Sequence, residues 1–138
     1  MNYLINALHI FGIVLLRFRL LPRLWALWLV LANTACLFFI EHAEAQVVLA
    51  ATLTSVILQA ILYGNMGFTR LLGVVHLLWL PMFAWIATRI EIIQAEPDLA
   101  RWLVVLAITN GVSLVIDAVD VTRYTLGERT PHYVWKAP

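Results

Sequence analysis

Trp102-Leu-Val-Val-Leu-Ala-Ile-Thr-Asn-Gly-Val-Ser-Leu-Val-Ile-Asp-Ala-Val119 is an apolar run in which Asp117 is the one charged residue. A helix rises about 1.5 Å per residue, so a run of this length covers most of the ~30 Å hydrocarbon core of a bilayer. Lipid offers the backbone no hydrogen-bond partners, and a helix satisfies these groups within itself. The stretch therefore predicts a transmembrane helix.

The composition of the whole chain supports the same interpretation. Of the 138 residues, 63% are hydrophobic and 12% are charged, and the mean hydropathy is +0.90. Soluble globular proteins are about 45–50% apolar and about 25% charged. A soluble domain of this size could not bury so much apolar surface, and large exposed patches would drive aggregation. We therefore expect an integral membrane protein that contacts the lipid bilayer directly.

Three further apolar runs have the length of a membrane span, at residues 24–40, 47–63 and 71–88. The loops between the runs are short, and short loops join helices that lie antiparallel. The predicted fold is an all-α integral membrane protein in which residues 23–126 form a four-transmembrane-helix antiparallel bundle. Pro81 lies within the third predicted helix and should kink it by removing one backbone hydrogen bond.

The segments that flank the predicted bundle are residues 1–22 and 127–138. Polar residues recur at helical spacing along one face of the first segment: Asn2, Asn6, His9 and Arg17. This pattern predicts an amphipathic N-terminal helix that lies in the cytoplasmic interface, with a re-entrant or spanning helix as the alternative. The second segment is predicted to be a cytoplasmic tail, which could lie on the membrane surface, dock on a partner or be disordered.

The distribution of lysine and arginine predicts the orientation. Seven of the nine such residues fall on one side of the predicted threading: Arg17, Arg19, Arg23, Arg70, Arg123, Arg129 and Lys136. The other side carries Arg89 and Arg101. Positive residues accumulate on the cytoplasmic side, so the chain should be a multi-pass protein of the cell inner (cytoplasmic) membrane with both termini cytoplasmic. The formal net charge of +1 gives no indication of a nucleic acid partner.

Two of the predicted helices carry polar side chains at a spacing of three or four residues, which places them on one helix face. They are Thr52, Ser55, Gln59 and Tyr63 in the second helix, and Asn110, Ser113, Asp117, Asp120 and Tyr124 along the fourth. Polar groups within a bilayer usually face the interior of the bundle. We therefore expect these two faces to point toward each other.

Asp117 is the residue whose exposure to lipid would be most unfavourable, at about 3 kcal/mol at mid-helix and less toward the interface. Gln59, His76 and Asp117 lie at a similar depth from the predicted cytoplasmic boundary. Three helices therefore place one polar side chain each at the same level. The expected partners of Asp117 within the chain are His76, Gln59 and Arg70.

The predicted binding or polar cluster comprises eight residues: Asp117, His76, Gln59, Tyr63, Asn110, Ser113, Asp120 and Arg70. For Gln59, Asn110 and Ser113 the plainer interpretation is hydrogen bonding that holds the bundle together. The same interpretation applies to His76, beside a role as proton carrier or ligand. Asp120 is expected to pair with Arg123 or to bond to Tyr124 along its own helix.

The sequence predicts no catalytic residue, metal site or cofactor. Its four histidines stand in different segments, and its single cysteine, Cys36, excludes an internal disulfide and a cysteine-based metal cluster. Haem held between helices needs two histidines at matching depth on facing helices, which His76 and His9 could supply only if the N-terminal helix re-enters the membrane. Gly-rich phosphate loops and serine-nucleophile motifs are also missing from the sequence.

Three functions remain open. The first is a non-catalytic accessory or assembly subunit, or a self-associating module, whose partners are other membrane protein subunits or further copies of the chain. The second is a small proton-coupled transporter or channel in which Asp117 carries the proton. The third is a membrane enzyme that acts on a lipid or quinone with His76 and Asp117 as an acid–base pair.

Overall fold

The computed structural model describes residues 2–133 and Trp135. It is 83% helical, with no strand in the described part. The described residues form six α-helices: α1 (Tyr3–Leu16), α2 (Leu20–Thr34), α3 (Ala43–Met66), α4 (Trp79–Ala87), α5 (Ile90–Gln94) and α6 (Pro97–Thr125). Two segments of 3-10 helix adjoin them, Ala35–Phe39 after α2 and Arg70–Leu78 before α4.

Four continuous helices in the described part are long and apolar enough to cross a membrane: Leu20–Phe39, Ala43–Met66, Arg70–Ala87 and Pro97–Thr125. We refer to them as the first to fourth long helices. They confirm the predicted all-helical chain with four apolar runs. The second and fourth extend beyond their apolar runs, because helices end at capping signals. Gly67, with φ of 71°, follows α3, and Pro97 occupies the first turn of α6.

The first and fourth long helices contact each other along their length in opposite residue order. The Trp25 Nε1–H donates to Ser113 Oγ at 3.2 Å. Further along α2, the carbonyl of Ala32 accepts a hydrogen bond from Trp102 Nε1 at 3.0 Å. Residue numbers thus rise along α2 as they fall along α6.

The main apolar core occupies one half of the molecule, the half that contains the connections at residues 40–42 and 88–96, the second of which includes α5. Val48, Met82, Leu103 and Leu106 are among its buried residues. The other half contains the predicted polar residues. The molecule therefore has an apolar half and a polar half.

The third long helix departs from the expected regular α-helix. Its first nine residues, Arg70–Leu78, are 3-10 helix, and α4 begins only at Trp79. Pro81 is the third residue of α4, just after the change from 3-10 helix to α-helix. The kink that we predicted at Pro81 stays a prediction.

The N-terminal helix packs its polar face against α3. The Asn6 side-chain amide donates to the carbonyl of Ala60 at 3.0 Å, and the His9 ring meets the Tyr63 ring edge-on at 6.1 Å between centroids. Both pairs are 54 residues apart in sequence, so α1 and α3 run in the same direction over this contact. Large apolar side chains of α1, such as Leu4 and Leu16, are exposed. The face that we predicted to meet water is thus turned onto the protein.

The described part of the C-terminal tail docks on the chain itself, an arrangement that the sequence analysis did not include. His132 N donates to the carbonyl of Phe68 at 2.9 Å, and Phe68 forms an antiparallel bridge with Tyr133. The Trp135 ring stacks on that of His9 at 5.1 Å. Residues 134 and 136–138 of the predicted tail lie outside the described part of the chain.

Candidate functional site

The 3-10 geometry of the third long helix decides which side chains face α6. A 3-10 helix has three residues per turn, so side chains three apart lie directly above one another. Arg70, Gly73, His76 and Trp79 therefore form one row. In an α-helix the same spacing would fan these residues around the axis, because three residues fall short of a full turn.

His76 joins α3 to α6 through the two nitrogens of its ring. Nδ1 lies 2.7 Å from Asp117 Oδ2, and Nε2 lies 3.2 Å from the side-chain nitrogen of Gln59. An amide nitrogen can only donate, so with Gln59 in this orientation Nε2 of His76 is the acceptor. The neutral imidazole then carries its hydrogen on Nδ1 and donates it to the Asp117 carboxylate. We call Gln59, His76 and Asp117 the polar triad.

Gly73 allows the Asp117 carboxylate to reach the 3-10 segment. A Cβ atom built on Gly73 would overlap the carboxylate of Asp117. The backbone dihedral φ of Gly73 is not positive, so the requirement for glycine here is one of space alone. The close approach of the third and fourth long helices therefore depends on a missing side chain directly beside the triad.

An ion-pair network lies next to the triad at the end of the polar half. Arg70 contacts Asp120, and its Nε lies 2.9 Å from Glu128 Oε2. The other oxygen of Glu128 lies 2.8 Å from Arg123 Nε. The hydrogen bond from Arg123 holds the pKa of the Glu128 carboxyl below its usual value, and the charges of Arg123 and Arg70 act in the same direction. We call Arg70, Asp120, Arg123 and Glu128 the ion-pair network.

The network differs from the sequence prediction in two ways. Asp120 pairs with Arg70 of the third long helix, whereas we expected Arg123 or Tyr124 of its own helix. Glu128 was not predicted as a site residue at all. Its position soon after a helix that ends near Arg123 was the signal that could have identified it.

Two other predicted residues, Asn110 and Ser113, take part in the contact between α2 and α6. The side-chain amides of Asn33 and Asn110 donate to each other at 2.9 and 3.1 Å, and both residues are buried. Ser113 accepts from Trp25, as described above. These hydrogen bonds satisfy polar groups between two helices. Neither residue contacts the polar triad through the hydrogen bonds that the described residues form.

Tyr63, the remaining predicted residue, lies at the contact between α1 and α3. Its ring meets His9 edge-on, and it makes no side-chain hydrogen bond to the described residues. Tyr63 follows Gln59 by one helical turn, so the predicted stripe on α3 is continuous in sequence. The stripe nevertheless splits between two contacts, because α1 covers its end.

Further polar atoms are buried between the polar triad and the apolar half. Trp79 stacks on His76 at 4.2 Å between ring centroids, and Ser55 precedes Gln59 by one helical turn. Within the described part of the chain, Trp79 Nε1, Ser55 Oγ and Thr52 Oγ1 are buried without a hydrogen-bond partner. Leaving a polar group buried and unsatisfied costs about 1–3 kcal/mol.

A buried ion pair at the opposite end of the molecule was missed by the sequence analysis. Glu44 Oε1 lies 2.5 Å from Arg89 Nε, and the Arg89 guanidinium lies over the Trp85 ring at 5.0 Å. Glu44 lies between the predicted apolar runs, which end at residue 40 and begin again at residue 47. The helix instead begins at Ala43, so Glu44 lies in its first turn and is buried.

The described residues hold no group of three or more histidine, cysteine, aspartate or glutamate side chains placed to bind a metal ion. Two open apolar grooves of about 370 and 400 Å³ run between α3 and the third long helix, and neither is lined by a residue of the polar triad. No protein-family model matches the chain, and no curated protein or solved structure shows significant similarity to it. The arrangement of the polar residues is therefore the basis for any functional assignment.

Proposed function

We propose that the chain is a multi-pass protein of the cell inner (cytoplasmic) membrane. Its four long helices would form an antiparallel bundle of membrane spans. In the most apolar stretch of each helix, between 17% and 33% of the residues are buried within the chain. The remaining apolar side chains face outward, as lipid contact requires.

The positions of the ion pairs support the antiparallel arrangement. Arg70, at the start of the third long helix, contacts Asp120 near the end of the fourth. Glu44, at the start of the second long helix, pairs with Arg89 just after the third. Adjacent helices thus bring opposite ends together. The accumulation of arginine at the Arg70 end supports a cytoplasmic location for this end of the bundle, which includes the end of α6.

The contacts of α1 support the alternative in which this helix enters the membrane beside α3. An interfacial helix would turn its polar face to water. Here Asn6 and His9 face α3 and the tail, while the exposed face of α1 is apolar. We therefore place α1 as a further lipid-contacting helix at the cytoplasmic end of α3.

Within this membrane protein we propose a non-catalytic role, as an accessory or assembly subunit or as a self-associating module. The contrast between exterior and interior carries this proposal. The exterior is almost entirely apolar along the four helices, and interior polar groups such as Asn33 and Asn110 pair with each other. The two grooves beside α3 are apolar and open. Such a molecule presents a large surface for other membrane helices and few groups for chemistry.

Native mass spectrometry from lipid nanodiscs, combined with single-molecule photobleaching in native membranes, tests the proposed role. We expect either two or more copies of the chain or a fixed ratio of the chain to another membrane subunit. Photobleaching at low expression is the control against association forced by detergent. A single copy without another subunit in both measurements would contradict the proposal.

A further inference from the structure

We propose that His76 and Asp117 form a proton-binding site within the helix bundle, reached by water from the Arg70 end and closed toward the opposite end by the apolar core. This inference rests on the membrane insertion proposed above. It goes beyond the proposed role as an accessory subunit, because it gives the polar triad a ligand, the proton.

The tautomer of His76 defines where the proton binds. In the neutral ring Nδ1–H donates to Asp117, and the lone pair of Nε2 accepts from the Gln59 amide. A proton from water adds to that lone pair, and no bond between heavy atoms changes. The charge of the pair then rises from −1, the charge of the carboxylate, to zero. A neutral pair is less costly than a net charge in surroundings of low polarity.

Proton uptake must also turn the Gln59 side chain. In the imidazolium both ring nitrogens donate, so the Gln59 nitrogen can no longer face Nε2. Rotation of the amide by half a turn brings its oxygen to Nε2 and restores the hydrogen bond. Gln59 therefore reports, through its own orientation, whether His76 carries the additional proton.

The groups that surround the His76 ring come from the elements packed against it. Gln59 of α3 and Asp117 of α6 hydrogen-bond to the imidazole, and Trp79 stacks on it. The other charged groups of this half belong to the ion-pair network: Arg70, Asp120, Arg123 and Glu128. Among the described residues, Asp117 is the one charged group in direct contact with the ring. Its carboxylate is the counter-charge for the imidazolium.

A gradient of exposure supports access from the Arg70 end. The exposed fraction of the side chain is 14% for His76 and 19% for Asp117. It rises to 33% for Asp120 and 44% for Glu128 toward the end of the polar half. The triad is thus separated from the surface by polar, increasingly exposed residues.

Exposure falls to zero in the opposite direction. Ser55 is 4% exposed and Trp79 is 3% exposed, and each has a buried polar atom without a partner in the described part of the chain. Water entering from the Arg70 end would satisfy these atoms. Beyond them lie Val48 and Leu106, both 0% exposed. The polar path therefore ends within the molecule, as a half-channel does.

Access is tested with single cysteines in a Cys36→Ala background, labelled by a membrane-impermeant thiol reagent from either side of oriented vesicles. We expect Ser55→Cys, a nearly isosteric change, to react from the Arg70 side alone. Val48→Cys lies two turns further from the Arg70 end, on the same face of α3, and should react from neither side. Labelling of Ser55→Cys from the Arg89 side, or from neither side, would overturn the half-channel.

Two marker variants distinguish a failure of this inference from a failure of the membrane proposal. Glu128→Cys and Glu41→Cys lie at opposite ends of the molecule and should each react from one side only, on opposite faces of the vesicle. If both markers react from the same side, the membrane proposal is wrong. If the markers divide as expected while Ser55→Cys stays unlabelled, membrane insertion stands and the half-channel is wrong.

The proton itself is tested by nitrogen NMR of the unaltered chain in nanodiscs, with histidine and glutamine side chains labelled with ¹⁵N. Across a series of samples of decreasing pH, His76 should gain a hydrogen on Nε2, and the Gln59 amide signal should change together with it. A His76 ring that does not change protonation, or a Gln59 signal that stays constant while it does, would overturn the site.

Discussion

Replacement of Gly73 by alanine tests the close approach of the third and fourth long helices. The added methyl group would overlap the Asp117 carboxylate. Either the carboxylate turns away and loses its bond to His76, or the helices separate. Loss of the hydrogen bond to the charged carboxylate would cost about 1.5–3 kcal/mol. Separation of the helices would cost about 1–3 kcal/mol, as overpacking does. Alanine favours a helix over glycine by up to about 1 kcal/mol, which offsets part of either loss. We therefore expect the free energy of unfolding to fall by about 1–2 kcal/mol.

Gly111→Ala is the matched control for this substitution. A Cβ atom on Gly111 would meet no atom within 4 Å, and α6 is helical there. This variant should therefore be unchanged or more stable by up to about 1 kcal/mol. Steric-trap unfolding in bicelles measures both variants against the parent chain.

A double-mutant cycle identifies the carboxylate as the cause. The background is Asp117→Gly, because alanine would keep the Cβ atom that lies 2.9 Å from the added methyl group. In this background the second substitution should cost clearly less than in the parent chain. Full stability of Gly73→Ala in the parent chain would refute the close approach. An equal loss with and without the Asp117 carboxylate would refute the explanation.

Three further predictions concern contacts elsewhere in the molecule. Asn33→Leu or Asn110→Leu alone should destabilise the chain by about 1–3 kcal/mol, because a buried amide loses its partner, whereas the double variant should recover part of the loss in the same unfolding assay. Glu44→Ala should cost about 1.5–3 kcal/mol, as loss of a hydrogen bond between charged groups does, because Arg89 remains 30% exposed to water, and a loss below about 1 kcal/mol would contradict the contact. Because the pKa of Glu128 is lowered in the folded chain, its contribution is present above the usual glutamate pKa and is lost as the pH falls through the lowered value. The protection of residues 126–133 against hydrogen exchange, measured relative to the intrinsic rate at each pH, should therefore fall in acid, and Glu128→Gln should show low protection that does not change with pH in that range.

The existence of the helices could be predicted from the sequence because contact with lipid requires apolar residues along the whole length of a span. Apolar runs such as residues 102–119 therefore stand out in composition alone. Their ends depend on local signals, which Gly67 and Pro97 supply. Gln59, His76 and Asp117 lie at similar distances in sequence from the predicted cytoplasmic boundary, and the structure brings these three side chains together.

The parts that could not be predicted depend on the backbone form and on distant contacts. The apolar run of the third span predicts an α-helix throughout, and an α-helix does not align Arg70 with His76. The partner of Asp120 was therefore sought on its own helix. The burial of Glu44 depends on Arg89, 45 residues away, and no local pattern indicates such a pair.

Topology mapping tests the central claim most directly, that four apolar helices cross the membrane with the arginine-rich end in the cytoplasm. Paired reporters, one active only in the cytoplasm and one only outside it, are fused in turn after residues 41, 67, 96 and 138. We expect cytoplasmic activity at residues 67 and 138 and external activity at residues 41 and 96. Cytoplasmic activity at all four positions, or recovery of the chain in the soluble fraction, would contradict the account.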